Sequence, residues 1–279
     1  MSIPKSSLTQ AVALALEEDV GRGDVTTEAC VDASLVSSAR VAARERMVVC
    51  GIEIAIEVYS QLDARVRVEP HVADGAWLER GGAALTLHGP ARSLLMGERV
   101  MLNFLQRLCG VATVTRMFVD ALPAGSRTRI TDTRKTTPGL RAFERFAVRC
   151  GGGHNHREDL AAAVLIKDNH VAASGGVTPA IQRARAHAPH TSRILCEVDS
   201  MAQLGEALAA GADIVMLDNF ADDQLPAAVA LVAGRALIEV SGRVSLERVP
   251  VIARAGIDVI SVGGLTHSAR AGDLGMDWL

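Results

Sequence analysis

The stretch ILCEVDSMAQLGEALAAGADIVMLDNF, residues 194–220, decides the fold. Two aliphatic runs, ILCEV and DIVMLD, each carry an acid at or next to their last residue, and an Ala- and Leu-rich helical segment separates them. Glu197 and Asp218 stand 21 residues apart, the length of one strand-plus-helix unit. The spacing continues with 21 residues from Asp218 to Glu239 in ALIEVSG, and 22 from Glu239 to Ser261 in DVISVGG. Upstream, AVLIKDNH and RITDTRK carry the same signature, an aliphatic run that stops at polar residues. Continuous aliphatic strands alternating with helices build a parallel sheet covered on both faces. Six such units, rather than eight, predict an incomplete, six-stranded β/α barrel.

The first third of the chain is mixed. A short helix is expected over Ser6 to Glu18, with Ser7 or Thr9 as its cap, and a Gly/Asp loop over 17–28. A strand in SARVAARERMVVCG ends near Gly51, IEIAIEVYSQL reads as a helix, and RVRVEP and AALTLHG read as strands. After Gly89-Pro90 the apolar spacing turns helical; Gly110 is expected to break that helix and VATVTRMFVDAL to start another. The fold class is therefore α/β, with an N-terminal α+β domain over 1–109 and a barrel domain over 110–266. The tail 267–279 is expected to pack on the N-terminal domain.

Of the 279 residues 49% are hydrophobic and only 3% aromatic, which suits aliphatic strands and Ala-rich helices. Cys30, Cys50, Cys109, Cys150 and Cys196 form no CxxC pair, so they read as free thiols, four of them buried, in a reducing compartment. The start MSIPKSSLTQ has no apolar segment of the signal-peptide kind, and no apolar run approaches membrane-spanning length. A cytoplasmic location without a membrane partner is the expectation. The net charge of -3 argues against a nucleic-acid partner. Yet residues 131–157 hold Arg134, Lys135, Arg141, Arg145, Arg149 and Arg157 against only Asp132 and Glu144. A basic cluster in an acidic chain points to a small, highly charged anion.

In β/α barrels the ligand site lies at the C-terminal ends of the strands. Arg134 and Lys135, Lys167, Glu197 and Asp199, Asp218, Glu239 and Ser241, and Gly263 and Gly264 all fall there. Alone, the Arg134-Lys135 pair reads as a solvated loop. The strand before it and the Thr136–Gly139 turn after it favour an anion site, with Arg gripping carboxylate and Lys acting as a point charge on phosphate. In GGGHNHR (151–157) the glycines allow close backbone approach ahead of His156 and Arg157. His154 reads as structural; a metal pair with His156 lacks a third ligand nearby. Glu197 and Asp218 would be costly as lone charges at the ends of apolar strands. They serve as a structural ion pair, or bind Mg²⁺ or ribose hydroxyls. SGR (241–243) and VGGLTHS (262–268) are either plain tight turns or phosphate-binding backbone.

Taken in order, TRKTTPGLR, GGGHNHR, LIKDNH, EVDS, MLDNF, EVSG and SVGGLTHS resemble the quinolinate phosphoribosyltransferase family, the carboxylating nicotinate-nucleotide pyrophosphorylases. EDVGRGDVTTE and GERVMLNFLQRLCGVAT fit as well, so the resemblance runs from about Glu17 to the C-terminus. It implies decarboxylating phosphoribosyl transfer from 5-phosphoribosyl 1-pyrophosphate (PRPP) to quinolinate, giving nicotinate mononucleotide, pyrophosphate and CO₂ in NAD biosynthesis. It implies Arg134, His156 and Arg157 on the quinolinate carboxylates, and Lys135 and Lys167 among the anionic groups of both substrates. By the same resemblance Glu197 and Asp218 meet ribose hydroxyls and Mg²⁺, and Ser241, Gly242, Gly263 and Gly264 hold the 5-phosphate. Lys135, Glu197 and Asp218 are the catalytic set it implies. Arg99 would reach a neighbouring subunit's site, making a homodimer or higher oligomer with shared sites.

Two departures stand out. Arg243 replaces an expected glycine in SGR, and Glu158-Asp159 follow NHR where a less acidic pair is expected. Three alternatives stay open: a substrate-shifted paralogue linked to molybdenum transport, a nicotinate phosphoribosyltransferase, and a non-catalytic phospho-ligand sensor on the same scaffold.

Overall fold

The structure, a computed structural model, describes residues 2–279. Twelve strands follow in chain order: β1 (Val36–Ala43), β2 (Met47–Val48), β3 (Arg67–Pro70), β4 (Trp77–Leu78), β5 (Ala83–Pro90), β6 (Arg129–Thr131), β7 (Val164–Ile166), β8 (Ile194–Val198), β9 (Ile214–Asp218), β10 (Leu237–Ser241), β11 (Val259–Ser261) and β12 (Leu274–Trp278). The chain divides into two compact units.

The first unit takes the chain up to Arg116, then Thr136–Gly152 and Gly264–Leu279. Its main sheet has the order β12-β1-β5-β3, with β2 and β4 paired separately. Thus the last strand of the chain lies antiparallel to the first, Ala39 opposite Trp278 and Ala43 opposite Leu274. The N-terminal helix spans Lys5–Asp19, and its N-cap is Pro4, not Ser7 or Thr9. The Thr9 hydroxyl is otherwise engaged, donating to Glu57 at 2.9 Å. Within the expected Gly/Asp loop the structure places a short helix, Val25–Cys30, capped by the Asp24 carboxylate on Thr27 N–H at 2.9 Å.

One helix of 30 residues runs unbroken over Ala91–Asp120. Leu94, Met101, Leu105 and Leu108 line one fully buried stripe of it at helical spacing. Gly110 therefore does not end a helix. A Cβ there would lie 1.9 Å from the Arg270 carbonyl oxygen, so the glycine makes room for the returning tail. Three cysteines are buried rather than four: Cys50, Cys109 and Cys196, with Cys150 half-buried and Cys30 exposed, and all five are free.

The second unit comprises Met117–Lys135 and Gly153–Gly263. Its six parallel strands follow the order β6-β11-β10-β9-β8-β7. From β7 to β11 each strand neighbours the next in sequence, and β11 pairs with β6, which is barrel order. The ring stays open between β6 and β7. There the backbone of His154 stands in for a strand: its N–H donates to Ile130 O at 2.8 Å, and its carbonyl accepts from Asp132 N–H at 3.1 Å. Helices Val177–His187, Met201–Ala209, Leu225–Val232 and Val249–Arg254 bury Ile181, Leu204, Val232 and Ile252.

Candidate active site

Alternation along the short strands aims every second residue inward. Met216 and Asp218 of β9, Ser241 of β10 and Ser261 of β11 thereby line one cavity of about 420 Å³ at the C-terminal strand ends. Thr133, Arg134, Lys135, His156, Arg157, Leu165, Lys167 and Glu197 complete its wall. All of these belong to the second unit.

The cations arrive on loops. Lys135 is set by a tight turn in which its N–H donates to Thr133 Oγ1 at 3.1 Å. Lys167 follows β7 directly, and its amide donates to His170 Nδ1 at 3.0 Å, so the histidine of LIKDNH caps the start of helix Asp168–Ser174. Arg157 is fixed through Nη1, which donates to Ala163 O at 3.0 Å. Its Nε is buried and makes no hydrogen bond among the described residues. Burial, and then the positive charge of Arg134, lower the Arg157 pKa. Two guanidiniums that disfavour each other, one with an unfilled donor, are arranged for an anion placed between them.

Two carboxylates oppose these cations. Glu197 Oε2 accepts from Lys167 Nζ at 2.5 Å. Burial, and then the charge of Glu197, raise the Asp218 carboxyl above its ordinary value, with Lys167 and Lys135 pulling the other way. A raised carboxyl beside a second acid gains from a bound cation. Among the described residues no three His, Cys, Asp or Glu side chains gather as a metal site, so ligand oxygens would have to complete any such shell.

Above Asp218 the chain is tightly wound. Asn219 has φ +55° and donates through Nδ2 to Asp218 Oδ2 at 2.7 Å. Gly242 has φ +87°, and a Cβ there would lie 2.3 Å from Asn219 Oδ1 and 3.1 Å from Asp218 Oδ1. Arg243 is exposed and also left-handed, with φ +48°. Arg248 ties this turn down, donating to the carbonyls of Phe220 and Arg243 and to the Asp222 carboxylate.

Of the residues picked from sequence, Arg134, Lys135, His156, Arg157, Lys167, Glu197, Asp218 and Ser241 line the cavity together. Gly242 abuts Asp218. Gly263 and Gly264 are not lining residues, and Gly264 opens the short helix Gly264–His267. Asp199 is exposed, in the cap turn of helix Met201–Ala209. Arg99 is exposed on helix Ala91–Asp120 of the first unit. Thr133, Leu165, Met216 and Ser261 were not singled out; strand alternation from Lys167, Asp218 and Val259 points to the last three. Asp159 caps its own turn, accepting from the amides of Ala161 and Ala162 at 2.9 and 2.8 Å.

A parallel β/α ring with cations and paired acids at its C-terminal mouth defines an enzyme of small, highly anionic substrates. Comparison with known proteins narrows this. Residues 24–123 match the model of the quinolinate phosphoribosyl transferase N-terminal domain, and residues 111–277 that of its C-terminal domain. The chain is 44% identical over 271 residues to the nicotinate-nucleotide pyrophosphorylase [carboxylating] of Mycobacterium leprae, covering 94% of each. It is 43% identical over 260 residues to the probable enzyme of that name from Bacillus subtilis, covering 93% of this chain and 89% of the relative. The solved nicotinate-nucleotide pyrophosphorylase of Francisella tularensis superposes with a TM-score of 0.95 at 38% identity, covering 100% of this chain and 98% of that one. The chain belongs to the quinolinate phosphoribosyltransferase family, enzymes of NAD biosynthesis.

Proposed function

We propose that this chain transfers the phosphoribosyl group of PRPP to quinolinate with loss of CO₂. The observation that carries the reading is the cavity in which Arg134, Lys135, Arg157 and Lys167 face Glu197 and Asp218. A dicarboxylate and a diphosphate together supply the negative charge that such a wall demands.

In this reading Arg134 and Arg157 grip the two quinolinate carboxylates, with His156 beside them. Lys135 and Lys167 neutralise the diphosphate and the remaining carboxylate charge. Ser241 and Gly242, joined by Gly263 and Gly264 one strand-and-helix unit later in the chain, offer hydroxyl and amide donors to the 5-phosphate. Glu197 and Asp218 accept from the ribose hydroxyls. The same two acids would hold Mg²⁺; a donor set of two carboxylates completed by substrate oxygens suits that ion. When bound, Mg²⁺ supplies charge neutralisation at the leaving diphosphate.

The pyridine nitrogen donates its lone pair to ribose C1 as the bond from C1 to diphosphate oxygen breaks, the electron pair leaving with diphosphate. The ring nitrogen is then positive. The bond from the ring to the adjacent carboxylate breaks next, CO₂ departs, and the electron pair left on the ring carbon is stabilised by that nitrogen until it takes a proton. Holding both rings in line contributes much of the acceleration, and no protein nucleophile is required.

A homodimer in which Arg99 serves the neighbouring subunit completes the reading; the exposure of Arg99 is compatible with it. The test is purified protein with quinolinate, PRPP and Mg²⁺, following mononucleotide and CO₂ together, with nicotinate in a parallel tube. Equal amounts of both products from quinolinate alone support the proposal. Product from nicotinate, or none from folded protein, sinks it.

A further inference from the structure

From His156 and Ser261 of the cavity wall a chain of polar groups runs back to Glu239 and Asp132, two buried acids that the proposed reaction does not use. Glu239 stands mid-strand in β10 and is only 3% exposed. Its Oε1 accepts a hydrogen bond from Ser261 Oγ of β11 and lies 3.5 Å from His156 Nε2. Beyond the ring, the Arg157 N–H donates to His156 Nδ1 at 2.7 Å, and the His156 N–H donates to the buried Asp132 at 2.7 Å. An amide N–H can meet only an imidazole nitrogen that carries a lone pair, so the ring proton sits on Nε2, facing the carboxylate. Each ring nitrogen thus faces a protein group.

We infer that Glu239 is a positioning residue for the anion site, locking His156 as its Nε2–H tautomer so that Nδ1 fixes the turn that aims Arg157. The inference rests on the reading that Arg157 grips a substrate carboxylate, and it gives His156 a supporting part there. A carboxylate inside a β-sheet ring is costly unless it is hydrogen-bonded, and a structural role alone would be served as well by an aliphatic residue of similar size. Ser261 supplies one donor and His156 the other. The arrangement is that of an acid, an imidazole and a guanidinium coupled in series, with the acid remote from substrate.

Two readouts test it. In protein carrying ¹⁵N-histidine, with the His156 signal assigned by its loss in His156→Asn, wild type shows the neutral Nε2–H pattern and Glu239→Ala shows a tautomer mixture. In steady-state assays Glu239→Ala raises the KM for quinolinate roughly 10- to 100-fold, the range expected on removing a buried hydrogen-bond partner, and leaves the KM for PRPP unchanged. Glu239→Gln, whose amide oxygen still accepts from Nε2–H, recovers most of that loss and guards against a variant that fails to fold. An unchanged tautomer in folded Glu239→Ala, or equal rises in both KM values, overturns the inference. Wild type inactive on quinolinate overturns the functional reading instead, while the ¹⁵N signals still decide whether Glu239 sets the tautomer.

Discussion

Removing the Glu144 carboxylate should unfold the first unit more easily than any other single change to its polar groups. Glu144 is wholly buried in helix Arg141–Cys150. It accepts from Arg107 Nε and Nη2 at 3.0 and 2.6 Å, from Thr137 N–H at 3.0 Å and from Thr137 Oγ1 at 2.7 Å. Arg107 also reaches the carbonyls of Ala269 and Thr266, so one guanidinium ties two distant segments to its own helix. Glu144→Ala strands a guanidinium whose side chain is 25% exposed, together with the Thr137 amide. Breaking one side of such a pair costs about 3–5 kcal/mol. For a chain of this size each kcal/mol moves Tm by about 2–4 °C, so a fall of roughly 6–20 °C is expected in a thermal melt. The Arg107→Met, Glu144→Leu double variant should lose less than the two single losses added, because no charge is left unpaired. A Glu144→Ala melt within about 2 °C of wild type would refute the reasoning, since that is under 1 kcal/mol.

Asp218→Asn should melt higher than wild type near neutral pH while losing turnover. The folded carboxyl is raised by burial and by Glu197, so ionising it costs the folded state; that cost is full above the folded pKa and vanishes below the unfolded value of about 4. Melts against pH check that the gap closes toward acid. Gly242→Ala should cost about 2 kcal/mol in urea unfolding and raise the KM for PRPP, because it forces a left-handed side chain onto Asn219. Arg243→Gly should instead gain about 0.5–1 kcal/mol with activity retained, by relieving a left-handed arginine. Inactive Arg99→Ala and Glu197→Ala proteins, mixed and re-associated, should recover about a quarter of wild-type activity if each site draws on two subunits; no recovery would argue for self-contained sites.

The barrel half of the fold was legible because its signal is local and repeated. Glu197, Asp218, Glu239 and Ser261 recur at one unit length, and each lies within its strand. The cations were legible as motifs, since Arg134, Lys135 and Arg157 sit beside turns with strong local chemistry. Gly110 misled because a glycine inside a helical pattern looks like a breaker, whereas its cause is Arg270, from the far end of the chain. Thr9 misled similarly: a hydroxyl near a helix start reads as a cap until Glu57, remote in sequence, claims it. Asp24 was the reverse case, a cap with its helix following at Val25 that went unread inside a glycine-rich loop. The buried acids Asp132 and Glu144 counted in sequence as scarce opposition to a basic cluster. In the structure they are anchors that hold its backbone turns.

The pairing of β12 with β1 bears on how the polypeptide is made. The first unit is built from both ends of the chain, so a ribosome releases β1, β5 and β3 long before their fourth strand exists. Until then β1 presents an unpaired edge from Ala39 to Ala43, while the whole second unit is synthesised and can fold. The nascent protein therefore spends most of its translation with a sticky border on its oldest part. Early termination anywhere before Leu274 leaves that border permanently open, which makes truncated products candidates for chaperone capture and aggregation rather than partial enzymes.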